Sequence, residues 1–167
     1  MKNKTLWKQV GAAAIAAAMV MSTVPATPVQ AAGGKTLAVS SQKQLNQALK
    51  TVKGKNAVIT VKAGKNVKIT IPKGTYKVTI RVVGKKAAVV NNGTVKEIVV
   101  NSKGTVAIKN NGTIKKVTVQ NAKSVSFSGN HKKAVPVVVN AEDVSMILAA
   151  PAKITAKKDV NLSLIHI

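Results

Sequence analysis

The chain has 167 residues, no cysteine, and 27 basic side chains against four acidic ones, a formal net charge of +23. The lack of cysteine excludes a disulfide-built scaffold. A single arginine, Arg81, with one tryptophan, one tyrosine and one phenylalanine, excludes base reading by arginine forks and aromatic platforms for sugars or single-stranded nucleic acid.

The first 31 residues read as an export signal. Lys2, Lys4 and Lys8 form a basic start, Val10 to Val20 an apolar stretch rich in alanine, and Val29-Gln30-Ala31 a small-residue cleavage site. The apolar stretch is short and is followed by Pro25 and Pro28, which argues against a membrane span once the signal is cleaved. Cleavage after Ala31 leaves 24 basic and four acidic side chains, a net charge of +20. The signal resembles those of Gram-positive bacteria, so the expected location is secreted or at the cell surface of such an organism.

Residues 32–39 read as an N-terminal lead-in, and 40–52 as a capping helix. Leu45, Ala48, Leu49 and Val52 lie at i, i+3, i+4 and i+7, one helical face, and Ser41 with Gln44 has the spacing of a capping box. A solenoid must cover the open core and strand edge of its first coil, which is the role expected of this helix.

Residues 53–162 repeat. Gly74-Thr75-Tyr76-Lys77, Gly93-Thr94-Val95-Lys96 and Gly112-Thr113-Ile114-Lys115 recur every 19 residues, the signature of a solenoid. Each period carries two alternating apolar runs, the pattern of half-buried strands. The first reads Ile59-x-Val61, Val78-x-Ile80-x-Val82, Ile98-x-Val100, Val117-x-Val119 and Val137-x-Val139. The second reads Val67-x-Ile69, Ala87-x-Val89, Val106-x-Ile108, Val125-x-Phe127, Val144-x-Met146 and Val160-x-Leu162. The first run slips by one residue near Val78, which predicts a bulge or a longer turn there.

The periods are dense in Val, Ile, Thr, Gly and Asn and carry no 3.6-residue stripe, which excludes helical repeats. The expected fold is all-β: a right-handed parallel β-helix of five to six coils, each pairing with the next at about 4.8 Å. Residues 163–167 read as a truncated or artefactual tail, because the string from Leu162 to Ile167 resembles a translated sequencing adapter.

With its cap helix, its Val/Ile alternation and its Asn-bearing corners at Asn91/Asn110 and Asn101/Gln120/Asn140, the chain resembles the pectate-lyase-like family of right-handed β-helix proteins over residues 38–164. The resemblance implies stacked side-chain amide ladders at those corners. It also raises polysaccharide lyase or glycoside hydrolase chemistry, which in that family uses clusters of acidic residues. Here only Glu142 and Asp143 are adjacent, at a turn. That pair fits neither hydrolysis by two opposed carboxylates nor a calcium cage. His131 and His166 stand alone, which supports neither a metal site nor a triad. The reading is therefore non-enzymatic, with no cofactor and no metal; a fragment of a polysaccharide lyase or hydrolase lacking its catalytic coils is the alternative.

Charge is the main functional clue. Lys77, Lys96 and Lys115 fall 19 apart, and Lys65, Lys85, Lys103 and Lys123 fall 20, 18 and 20 apart, so each set is expected to stack at a corner. Ammonium columns at coil spacing repel one another unless hydrated or neutralised. A solvated, Lys-rich exterior that keeps strands apart is the plain alternative. The size of the excess favours an adhesin-like module that binds anionic polymers: acidic polysaccharide, teichoic acid or mucin-type glycan, with nucleic acid bound only non-specifically.

Overall fold

The computed structural model describes residues 35–64, 66–157 and 162–166. The export-signal reading of residues 1–31, Lys65 and Asp159 fall outside the described residues.

The described chain is a parallel β-solenoid of about six turns, each of about 19 residues, with one short helix on its N-terminal side. Its elements are β1 (Lys35–Val39), α1 (Gln42–Thr51), β2 (Ala57–Ala63), β3 (Val67–Ile71), β4 (Thr75–Asn91), β5 (Thr94–Asn110), β6 (Thr113–Ile114), β7 (Val117–Asn121), β8 (Ser124–Ser128), β9 (Val135–Val139), β10 (Val144–Ala149), β11 (Ala152–Ala156) and β12 (Leu162–His166).

Three faces run along the solenoid. The first is β1-β2-β4-β5-β7-β9-β11. The second stacks β3, the later halves of β4 and β5, β8, β10 and β12. The third is a short corner ladder, Thr75-Tyr76 on Thr94-Val95 on Thr113-Ile114. All the pairings are parallel.

Alternation sends every second side chain inward, and in-register stacking lines these up along the core. Ile59, Ile80, Ile98, Val117 and Val137 form one buried column of the first face; Ile69, Val89, Ile108, Phe127 and Leu148 form one of the second. β-branched side chains suit this surface because their restricted χ1 angles are already compatible with the strand.

The bulge expected near Val78 is present: register shifts between Tyr76 and Thr79, so Lys77 and Val78 together oppose Lys96. Two further shifts, between Gly84 and Lys86 and between Val100 and Asn101, leave no mark in the apolar pattern because they fall in polar corners. The last coils depart from the alignment read from sequence. Val125 pairs with Met146, not Val144, and Val144 pairs with Leu162, not Val160. A slip of two residues keeps the same faces inward, so alternation cannot detect it.

β1 and β11 extend the first face beyond the strands read from sequence. Leu37 and Ile154, their central apolar residues, are only partly buried, which is why their signal is weak.

The helix runs from Gln42 to Thr51 with Ser41 as its N-cap, and Leu45, Ala48, Leu49 and Val52 are all buried. The cap differs from the expected box in one bond. The Ser41 hydroxyl accepts from the Gln44 N–H at 3.3 Å, but the Gln44 side chain accepts from the Ser40 N–H at 2.7 Å instead of that of Ser41. α1 lies where the second face would otherwise have a strand before β3, and the Gln42 amide bonds the Thr70 backbone twice.

Candidate functional site

The third face and its flanks concentrate the repeated polar groups. Its corner opens with an inward amide. Asn91 Nδ2 donates to Asn110 Oδ1 at 2.8 Å and to the Gly93 carbonyl at 2.9 Å, and both asparagines are fully buried. The next residues outward, Asn92 and Asn111, form a second ladder at 3.0 Å. The amide ladder expected at Asn91/Asn110 therefore exists. Among the described residues no side-chain hydrogen bond links Asn101, Gln120 and Asn140, and Asn140 Oδ1 is buried without a partner.

Glycine follows because the coils touch there. A Cβ built on Gly112 would collide with the Gly93 carbonyl, and one on Gly93 with the carbonyl of Pro72. Then come the outward threonines Thr75, Thr94 and Thr113, stacked in register, and the lysines Lys77, Lys96 and Lys115, all three exposed. Lys115 follows its neighbour coil closely, its N–H donating to the Val95 carbonyl at 3.2 Å. The corner thus presents parallel columns of amide, hydroxyl and ammonium, one group per coil.

At the helix end, Lys77 joins Lys35 and Lys55 in lining an open cleft of about 630 Å³. Beside it, Lys50, Lys53 and Lys73 line another of about 510 Å³ that also takes in Thr75 and Tyr76. Among the described residues no acidic side chain lines either cleft.

The second lysine set is less regular. Lys65 lies outside the described residues. Lys85 is opposed by two residues, Lys103 and Gly104, because the register shifts there. Gly104 sits directly over the Lys85 carbonyl, where a Cβ would collide, and its own carbonyl accepts from the Lys123 N–H at 3.0 Å. The backbone line therefore runs Lys85, Gly104, Lys123, with Lys103 one residue out of it. Lys85, Lys103 and Lys123 are all exposed.

Glu97 was not singled out by sequence reasoning. It accepts from the Thr118 hydroxyl at 2.6 Å and pairs with Lys116 Nζ at 3.0 Å, with its side chain 15% exposed. This is the one Lys–carboxylate pair among the described residues, so the lysine columns have no internal counter-charge there. Its signal was its place: Glu97 and Thr118 project from the same outer side of adjacent strands, a relation visible only once coil register is known.

Glu142 and Asp143 are exposed, and Asp143 has a positive φ of 46°, as suits a tight turn. Among the described residues no group of three or more His, Asp and Glu is placed to hold a metal ion, and no helix is long and apolar enough to cross a membrane. Comparison with protein-family models, curated proteins and solved structures finds no match to this chain.

Proposed function

We propose that this protein is a secreted or cell-surface module of a Gram-positive bacterium, non-enzymatic and adhesin-like, that binds anionic cell-wall or host glycans along its third face. The observation that carries this reading is the column Lys77, Lys96, Lys115, exposed and with no carboxylate partner among the described residues, beside the Thr75, Thr94 and Thr113 hydroxyls. Lysines carried on coils about 4.8 Å apart repel one another, and a linear polyanion laid along them converts that repulsion into binding. The neighbouring hydroxyls and amides supply donors and acceptors for sugar hydroxyls, which the lysines alone cannot.

Lys85, Lys103 and Lys123 lie at another corner, between the first and second faces, and offer a second basic line; sequence spacing alone adds Lys65 to that set. Because each exposed pairing is screened, affinity comes from the sum of contacts and falls steeply with salt. The test is binding of the signal-free protein to immobilised lipoteichoic acid, a polyuronate and a sulfated glycan across a salt series. Binding that decays with salt and is lost on reversing Lys77, Lys96 and Lys115 to glutamate supports the reading. Absence of salt-sensitive binding to all three polymers overturns it.

A further inference from the structure

The amide ladder ends on an unanswered donor. Asn91 Nδ2 donates upward to Asn110 Oδ1 at 2.8 Å, and Asn110 Oδ1 also accepts from the Gly112 N–H at 3.3 Å. By the same polarity Asn110 Nδ2 faces the next coil, where it is buried with no partner. The residue stacked there is Gly129, so no side chain continues the ladder. A buried amide N–H₂ left unpaired is destabilising, which a native structure tolerates where something else fills the gap.

Beyond Gly129 the chain swings outward. His131 pins it: Nδ1 stands 3.2 Å from the Asn110 carbonyl, Nε2 2.9 Å from that of Pro151, and the ring packs edge-on against Phe127. This leaves a cavity of about 300 Å³ lined by Asn110, Thr113, His131, Lys132 and Lys133 among others, with no acidic residue on its wall among the described residues. Both lysines are exposed, so their ammonium groups can turn to a bound group without being stranded in the interior.

We propose that this cavity binds a single small oxyanion, a carboxylate or a phosphate, held by Asn110 Nδ2 and paired with Lys132 and Lys133. The chemistry follows from the donor set: a buried amide N–H₂ needs an acceptor, a hydroxyl can donate beside it, and two ammonium groups favour an acceptor that is charged. The volume admits an acid up to about the size of a sugar acid. The cavity shares Thr113 with the third face but includes no member of the Lys77/Lys96/Lys115 column, so variants of Lys132 and Lys133 test it separately from polymer binding.

The experiment follows the assigned Asn110 side-chain N–H₂ resonances of ¹⁵N-labelled protein during titration with sodium phosphate, sodium acetate and, as control, sodium chloride at matched ionic strength. A saturable shift with phosphate or acetate but not chloride is expected; which of the two acts identifies the oxyanion. The double variant Lys132→Gln/Lys133→Gln alters only exposed side chains and should weaken that binding about tenfold, as loss of charge-assisted bonds requires. No shift, a shift shared by chloride, or a shift indifferent to the double variant would overturn the site. In those cases a buried water answers the amide.

Discussion

The side-chain amide of Gln42 meets the backbone of Thr70 across 28 residues of sequence, accepting from its N–H at 2.6 Å and donating to its carbonyl at 2.8 Å. A primary amide carries the donor and acceptor of a peptide group, so one side chain answers a strand edge as a further strand would. The first coil of the second face is thereby closed by α1 in two ways: Leu45, Ala48 and Leu49 cover the core, and Gln42 covers the edge.

Gln42→Ala is expected to lower unfolding free energy by about 1–3 kcal/mol, since it strands two backbone groups in a partly buried place. Urea denaturation measures this. Light scattering of the same variant should reveal added self-association, because the edge of β3 becomes available for pairing. A variant as stable as the parent would show that the two bonds contribute nothing.

The inner ladder makes a parallel demand. Asn91→Ala removes the donor to Asn110 Oδ1 and the acceptor of the Gly93 N–H, both in buried surroundings. A loss of about 2 kcal/mol or more is expected by denaturant titration. Asn92→Ala, which breaks only the more exposed outer ladder, should cost less than about 1 kcal/mol.

Gly104 has no room for a side chain above Lys85. Gly104→Ala is expected to cost more than the usual ~1 kcal/mol of a glycine replacement, because the backbones of two coils must separate. Gly64, which has open space around the corresponding Cβ, serves as the control: alanine there should change the melting temperature little.

The lysine column carries its own thermodynamic signature. Lys96 stands between Lys77 and Lys115, so Lys96→Gln should raise the melting temperature at low salt by about 1–3 °C through relief of like-charge repulsion. The gain should vanish at high salt, where screening removes that repulsion. A salt-independent effect would mean that the column is splayed too far for its members to interact.

Glu97 joins adjacent coils through Thr118 and Lys116. Replacing it with alanine should destabilise by about 1 kcal/mol, chiefly through the lost hydrogen bond to the nearly buried Thr118 hydroxyl, as Lys116 is half exposed and screened. Thermal melts of Glu97→Ala and Glu97→Gln separate the two contributions, with glutamine retaining most of the first.

Sequence alone determined the elements whose signal is local. Alternation marked the buried residues of β2 to β5 and of β7 to β10, the i, i+3, i+4, i+7 stripe marked α1, and the slip at Val78 marked a bulge. The 19-residue recurrence of Lys77, Lys96 and Lys115 likewise followed from the corner motif that shapes each turn. Only the tertiary structure decided how coils pair. It moved Val125 from Val144 to Met146 and set Lys103 out of line with Lys85 and Lys123. It also joined Gln42 to Thr70 and left Asn110 Nδ2 buried without a partner. The physical reason is that side-chain alternation has period two and is blind to even slips, while polar corners carry no apolar pattern at all. Register, and every contact that depends on it, is settled by the packing of one coil upon the next.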